Sequence, residues 1–213
     1  MDSRRFLLFS KFLVIMVNKK VLIVYDTRYG ATEITSKDIS KVLEEKGVDV
    51  DLINLKPLNI EQWPDPVQYD GIIVGSSVAM FRWKKKPKKF LKKNKKKFVN
   101  KILAVFVSCG TCVTDPEKAR EKYLDKIMDG IGITPNITEA IEPVLDISEN
   151  SGLKPMTRKL IRGMAQDFAN DAGISLNEEG VNDFRDKEKL SRFINSFQGK
   201  LKNIGFNKNE KRI

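Results

Sequence analysis

The sequence predicts a parallel α/β fold, in which five strands form one sheet of order 2-1-3-4-5 with helices on both faces. Apolar, β-branched segments alternate with helical patterns along the chain, which is typical of this architecture. The first, third and fourth predicted strands are apolar throughout, as strands buried on both faces are. The second and fifth alternate apolar and polar residues, which places them at the sheet edges. In such sheets a ligand binds at the carboxyl ends of the central strands.

The first half of the chain supplies three strands and two helices. Gly47 is a suitable C-terminal cap for the first helix, and the loop over 56–68 carries three prolines. The predicted elements are, in order, a strand at Val21–Tyr25, a helix ending near Lys46, a strand at Val48–Ile53, a strand at Tyr69–Ser77, a loop at Val78–Lys86 and a helix opening at Pro87.

The second half adds two strands, two helices and an extra segment. These elements are a strand at Ile102–Val107, a helix from about Pro116 to Gly130, a strand at Ile137–Ile141, an insert at about 146–182 and a last helix from Lys187 to about Asn203. We expect a single domain over 19–205 and a C-terminal tail over 206–213. Within the insert, Thr157–Ala165 looks amphipathic and basic, and we expect the insert either to pack as a cap on the sheet or to contact substrate or a membrane.

The amino-terminal segment 1–18 precedes the first predicted strand and does not match the pattern of the domain. Its apolar run is interrupted by Lys11 and is too short to cross a bilayer as a helix. We expect a tail or a wrongly assigned start, since Met16 stands just before the first strand. A membrane-surface anchor and a signal peptide are the alternatives.

Composition narrows the class of protein. The chain has 213 residues, of which 41% are hydrophobic and 31% charged, which is typical of one globular domain. It has no histidine, which excludes the usual general base, the usual zinc ligand and a Ser-His-Asp triad. Its two cysteines cannot form the disulfide framework of a secreted protein, so we expect a cytoplasmic location.

The segment after the first strand predicts an anion site. A strand that turns through a short loop into a helix directs unpaired backbone N–H groups, at the positive end of the helix dipole, toward a ligand. Threonine hydroxyls and an arginine add donors and positive charge. The candidate phosphate-binding residues are Thr27, Arg28, Tyr29, Gly30, Ala31 and Thr32. The loop lacks both the GxxxxGK[ST] of nucleoside triphosphate loops and the GxGxxG of dinucleotide sites.

Positive charge is concentrated in one stretch. Gly71–Thr114 contains eleven lysines and Arg82 but no acidic residue, a net charge of +12, whereas the whole chain carries +11. Ten of these lysines lie in Lys84–Lys97. The stretch is either a solvated helix face or a surface that docks on an anionic membrane or an acidic redox partner. Without interleaved aromatic residues or a recognition motif, we expect no specific nucleic-acid binding.

The loops after strands one, three and four read TRYGAT, SSVAMFRW and SCGTCVTDPEK, and they resemble those of the flavodoxin family. The resemblance covers about 19–145 and 183–203. More specifically, the chain resembles the menaquinone-dependent protoporphyrinogen IX dehydrogenase branch of that family. The features shared with this branch are the Thr-Arg-x-Gly-x-Thr loop, Val74–Ser77, Pro116–Lys118 and the basic segment Lys154–Met164.

This resemblance implies a flavodoxin-like three-layer sandwich and an FMN cofactor. The 5′-phosphate would bind at Thr27–Thr32, and the isoalloxazine would lie between the two later loops, where Met80, Phe81 or Trp83 could face the ring. The cofactor-binding residues implied there are Ser76, Ser77, Val78, Ala79, Met80, Phe81, Trp83, Ser108, Cys109, Gly110 and Thr111. No side chain is assigned a catalytic role and no metal is expected, because the redox chemistry takes place on the flavin.

Three functions agree with this resemblance. The first is an FMN-dependent oxidoreductase that oxidises protoporphyrinogen IX or a similar substrate with a quinone as acceptor. The second is a flavodoxin-type electron carrier whose partner is a redox protein, and the third is a flavin-free structural domain. Response-regulator receivers share the topology but need an acidic pair after strand one and an aspartate at the end of strand three. Here only Asp26 follows strand one and strand three ends in Ser77, which excludes that class.

The two cysteines form a C-x-x-C motif in the loop after the fourth strand. A redox-active dithiol is one interpretation of Cys109-Gly110-Thr111-Cys112. We favour the other, a loop of small residues that lets a flavin approach the backbone. A zinc site is incomplete with two thiols and no histidine.

Overall fold

A six-stranded sheet forms the centre of the protein, for which the computed structural model describes residues 19–209. Its strands are β1 (Lys20–Asp26), β2 (Asp49–Asn54), β3 (Gly71–Ala79), β4 (Arg82–Trp83), β5 (Ile102–Ser108) and β6 (Ile137–Ile141). Five of them are parallel in the order β2-β1-β3-β5-β6, while β4 pairs antiparallel with β3. The predicted order 2-1-3-4-5 is confirmed, since β4 is a short addition outside that series.

Helices cover both faces of the sheet and complete three layers. They are α1 (Ala31–Glu44), α2 (Lys85–Asn94), α3 (Thr111–Thr114), α4 (Pro116–Arg120), α5 (Lys126–Ile131), α6 (Pro155–Ala172) and α7 (Lys187–Asn209). A π-helical turn at Glu121–Asp125 joins α4 to α5. Short 3₁₀ turns lie at Ile60–Gln62, Pro66–Gln68, Lys95–Phe98 and Glu149–Ser151.

Two apolar cores lie on opposite faces of the sheet. On one face, Phe90 of α2 and Leu124 of the π turn pack against residues such as Val105 of β5. On the other, Leu43 of α1 and Phe197 of α7 pack against the other side of the same strands. The central strands are therefore buried on both faces, which explains their uninterrupted apolar sequences.

The segment Val78–Lys86 differs from its prediction as a loop. The chain forms a tight hairpin in which Val78 pairs with Trp83. Its turn consists of Met80 and Phe81, which both adopt left-handed backbone conformations with φ of 52° and 61°. Glycine or asparagine usually occupies such positions, and because neither is present here, no residue pattern indicated this turn.

The insert leaves and rejoins the domain through a pair of antiparallel strands, β7 (Val144–Asp146) and β8 (Val181–Asp183). Between them α6 packs over a small core of its own, formed by Leu145, Ile147, Ile161 and Ala165. Tyr29 of the loop after β1 packs against the same core. The insert thus covers the carboxyl end of the sheet.

The last helix extends past its predicted end at about Asn203, to Asn209. No proline interrupts 204–209, so nothing in the sequence forces an earlier end of the helix.

The predictions for 1–18 and for the final residues 210–213 lie outside the described part of the chain. Within 19–209, no helix combines the length and the apolar character needed to cross a membrane.

Candidate functional site

The loop between β1 and α1 has the geometry of an anion site. Thr27 Oγ1 accepts a hydrogen bond from the Gly30 N–H at 3.0 Å, which closes the loop on itself. Gly30 precedes the first helical residue with φ of 92°, a conformation that favours glycine, and a Cβ there would meet nothing within 4 Å. Open space therefore lies beside Gly30, at the start of a 14-residue helix whose first backbone N–H groups have no partner within the helix.

Buried hydroxyl groups surround this end of the sheet. Thr32 Oγ1 at the start of α1, Ser77 Oγ on β3 and Ser108 Oγ on β5 are all buried, and none has a hydrogen-bond partner within the described residues. Leaving a buried polar group unpaired costs about 1–3 kcal/mol. Ser77 and Ser108 lie near the carboxyl ends of neighbouring strands and Thr32 lies in the first turn of the helix after β1, so a polar ligand bound at this edge of the sheet can satisfy all three hydroxyls.

An apolar cavity of about 440 Å³ opens beside these hydroxyls. Residues from the three loops predicted to bind the flavin line it: Tyr29, Val78, Ala79, Met80, Phe81, Cys109, Gly110 and Thr111. These residues come from loops far apart in sequence, and the parallel sheet brings them together. A flat apolar ring system is the kind of ligand that fits such a wall of aromatic and aliphatic groups.

The hairpin tip forms the exposed rim of this cavity. Met80 and Phe81 are 79% and 73% exposed, large values for such apolar side chains. Arg28 Nη1 contacts Met80 Sδ at 3.7 Å, and Lys122 Nζ lies 4.6 Å from the centre of the Phe81 ring. The rim is thus apolar with cations beside it.

Four of the cavity-lining residues were not predicted: Tyr123, Leu160, Met164 and Phe168. Three of them belong to α6 of the insert and repeat every four residues, a spacing that places them on one helix face. This spacing in the sequence indicates an apolar helix face, but it does not indicate which part of the sheet that face covers. Phe168 packs so closely on the loop after β5 that a Cβ on Gly110 would lie 2.1 Å from its Cζ.

The remaining predicted residues occupy other positions near the site. Trp83 does not line the cavity; its indole N–H donates to the Tyr123 carbonyl at 2.6 Å, and its ring packs on the core. Ser76 Oγ donates to the Ser77 carbonyl and accepts from the Lys84 N–H, each at 3.2 Å. Ala31 is buried in the first turn of α1.

Asp26, the last residue of β1, places a carboxylate below the anion loop. It is 3% exposed, and burial raises the pKa of its carboxyl, while Lys84, whose Nζ lies 3.5 Å away, opposes that rise. The ammonium group thus offsets negative charge that would repel an anion bound nearby.

The two cysteines lie in the loop after β5 and are buried and not disulfide-bonded. The Cys109 N–H donates to the Ile141 carbonyl at 3.2 Å, which fixes the loop to β6. The described part of the chain holds no cluster of three side chains suited to a metal ion.

Comparison with solved structures finds flavodoxins among the similar chains. The oxidised flavodoxin 2 of Bacillus cereus is 20% identical and covers 85% of this chain and 99% of its own, with a TM-score of 0.47. A flavodoxin from the domain Archaea is also 20% identical and covers 72% of this chain and 99% of its own, with a TM-score of 0.41.

Among curated proteins, the protoporphyrinogen IX dehydrogenase [quinone] of Escherichia coli (strain K12) is 27% identical over 99 residues. That match covers 46% of this chain and 52% of the relative, so the chain spans about half the length of the curated relatives it matches. The family model described as "Flavodoxin domain" matches residues 22–169, more than half of the 213 residues. This chain therefore belongs to the flavodoxin-domain family.

Proposed function

We propose that this protein is an FMN-dependent oxidoreductase. The observation that carries the proposal is the position of an anion-binding helix start beside an apolar cavity, at the carboxyl edge of one sheet. FMN, the cofactor implied by the family, has a phosphate at one end and a flat ring system at the other. The unpaired hydroxyls of Thr32, Ser77 and Ser108 fit its polar parts.

Each part of the site has a distinct task in this proposal. The N–H groups at the start of α1 and the Thr32 hydroxyl bind the phosphate. The loops after β3 and β5 hold the ring, and Phe168 with its neighbours on α6 excludes water from one side. FMN supplies the electron transfer, while the protein tunes it through hydrogen bonds and local charge.

The substrate that we propose is a reduced hydrophobic compound, protoporphyrinogen IX or a similar molecule, with a quinone as acceptor. The partial similarity to the curated dehydrogenase supports it. So does the apolar rim, where Met80, Phe81 and Leu160 are more than half exposed. A large apolar substrate can pack against such a surface.

A flavodoxin-type electron carrier is the second candidate, with a redox protein as its partner. One observation favours it: the anion loop and both ring-binding loops belong to the core outside the insert. Cofactor binding could therefore be complete without a dedicated substrate pocket.

We also propose that the protein is cytoplasmic and contacts anionic membrane through Lys84–Lys97, where most of the lysines are exposed.

Absorbance of the purified protein tests the cofactor. Bound FMN gives a yellow protein with a flavin spectrum, and a colourless protein that takes up no added FMN contradicts the proposal.

Removal of the insert separates the two functions. A two-residue turn from Asp146 to Val181 can replace 147–180, because β7 and β8 already pair at these two residues. An enzyme loses porphyrinogen oxidation but keeps FMN, whereas a carrier keeps electron exchange with its protein partner.

Phe168→Ala is the matched point variant should the shortened chain fail to fold. It removes one ring of the cavity wall and leaves β7 and β8 in place. Absence of any porphyrinogen turnover by the intact protein, with FMN and a quinone present, refutes the substrate part of the proposal.

A further inference from the structure

We propose that Cys109 and Cys112 form a reversible dithiol–disulfide couple in the wall of the cavity. They are the two cysteines of the chain, and the proposed flavin chemistry does not use them. The proposal goes beyond FMN binding and does not depend on it.

The backbone already brings the two residues into a single turn. The Cys112 N–H donates to the Cys109 carbonyl at 3.3 Å. Residues joined by such a turn have Cα atoms within about 7 Å, and disulfides span about 4.4–6.8 Å between Cα atoms. The thiols also interact, since a hydrogen bond with Cys109 is the largest cause that raises the pKa of the Cys112 thiol. The S–S bond can therefore form with little backbone movement.

The two cysteines differ in their position relative to the cavity. Both are buried, at 3% and 2% exposure, but Cys109 lines the cavity and Cys112 lies outside its lining. This is the arrangement expected of an attacking thiol and a resolving thiol behind it. Cys112 stays protonated until it reacts, because hydrogen bonding and burial both raise its pKa.

A buried ion pair acts electrostatically on the buried thiol. Glu142 is 6% exposed and pairs with Lys189. The Cys109 N–H is bonded to the carbonyl of Ile141, the preceding residue, so the cysteine loop lies beside this ion pair. Both charges act on Cys112: the carboxylate raises the pKa of the thiol and the ammonium lowers it.

The oxidant that we propose is a low-molecular-weight disulfide that enters the cavity. The Cys109 sulfur attacks one sulfur of this disulfide, whose S–S bond breaks and releases one small thiol. The Cys112 sulfur then attacks Cys109, which releases the second small thiol and leaves the Cys109–Cys112 bond. Two S–H bonds are lost from the protein and two form on the released thiols, because the proton of each cysteine passes to the small thiol that leaves. The protein is oxidised by two electrons, and the small disulfide is reduced by two.

Bis(2-hydroxyethyl) disulfide is a suitable probe because it is small and uncharged. The full-length protein is incubated with it, with and without added FMN, then denatured, alkylated and weighed by mass spectrometry. We expect wild-type protein to lose both alkylation sites together and to retain no probe. Protein that keeps both thiols in both samples, or that carries one probe on each cysteine, refutes the couple.

Single serine variants test the order of attack. Cys112→Ser should accumulate the probe on Cys109 about tenfold faster than Cys109→Ser accumulates it on Cys112, because only Cys109 lines the cavity that the probe enters. Equal rates contradict the assigned roles. Flavin absorbance in the same samples reports FMN binding separately, so failure of the thiol couple and failure of the proposed function give different results.

Discussion

Gly110→Ala tests whether the insert forms the wall of the cavity. The new Cβ would lie 2.1, 2.8 and 3.0 Å from three atoms of the Phe168 ring, all closer than packed carbons allow. The backbone itself accepts alanine, because Gly110 has φ of −65°. The Phe168 ring also packs edge-on against Phe184, with centroids 5.8 Å apart, and this contact restricts its movement. Either the ring leaves its place or α6 moves.

We expect this clash to lower the free energy of unfolding by about 1–2 kcal/mol, the range for overpacking relieved by side-chain displacement. For a domain of this size that lowers Tm by about 2–8 °C. Urea unfolding measures the change. The same substitution in a Phe168→Ala background should cost close to nothing, because the clashing ring is gone.

Gly163→Ala is the matched control. It lies in α6 itself, where a Cβ meets nothing within 4 Å, and it should stabilise the helix by about 0.5–1 kcal/mol. If Gly110→Ala costs the same with and without the Phe168 ring, the contact between insert and loop is not as described.

Three further outcomes follow from the site and its surroundings. Thr32→Val should weaken FMN binding about tenfold or more, because a hydrogen bond to a charged group contributes about 1.5–3 kcal/mol. A fluorescence titration measures the affinity. Ser40→Ala is the control: it removes a hydroxyl about two turns further along α1 and should leave the affinity for FMN unchanged. The Tyr69 hydroxyl donates to the Asp51 carboxylate at 2.6 Å and, together with Lys20, lowers the pKa of that carboxyl. The interaction therefore stabilises the folded protein fully above the ordinary pKa of 3.8, and this stabilisation is lost as the pH falls through the lowered pKa. Tyr69→Phe should therefore cost about 0.5–1 kcal/mol at pH 7, allowing for solvent screening, and this difference should disappear in acid unfolding curves; a cost independent of pH contradicts the assignment. Replacing four exposed lysines by glutamine should lower the affinity for anionic vesicles, measured by sedimentation, about a thousandfold, because each lysine near the membrane contributes about 1 kcal/mol. The weak binding to zwitterionic vesicles should not change; the four residues are Lys89, Lys92, Lys93 and Lys96.

The sheet could be predicted from the sequence because its signals are local. Alternation in Val48–Ile53 and Ile137–Ile141 marked the edges, and the apolar runs marked the centre. The anion loop was recognisable for the same reason, since a strand, a short glycine loop and a helix follow one another directly.

The far side of the cavity could not be predicted in this way. Phe168 reaches Gly110 across 58 positions of sequence, and no local pattern reports such a contact. The hairpin of Met80 and Phe81 lacks the residues that usually mark a tight turn. Because that hairpin pairs Trp83 with Val78, the indole points to Tyr123, a direction that a free loop would not have imposed.

The pairing of β7 with β8 means that the insert begins and ends at one place on the domain. Its small core of Leu145, Ile147, Ile161 and Ala165 is separate from the two cores of the sheet. Such a unit can open at a lower free energy than the domain as a whole, and amide hydrogens of α6 should exchange faster than those of β1. A bulky ligand could then reach the ring-binding loops by transient unfolding of the cavity wall, without any hinge and while the sheet stays folded.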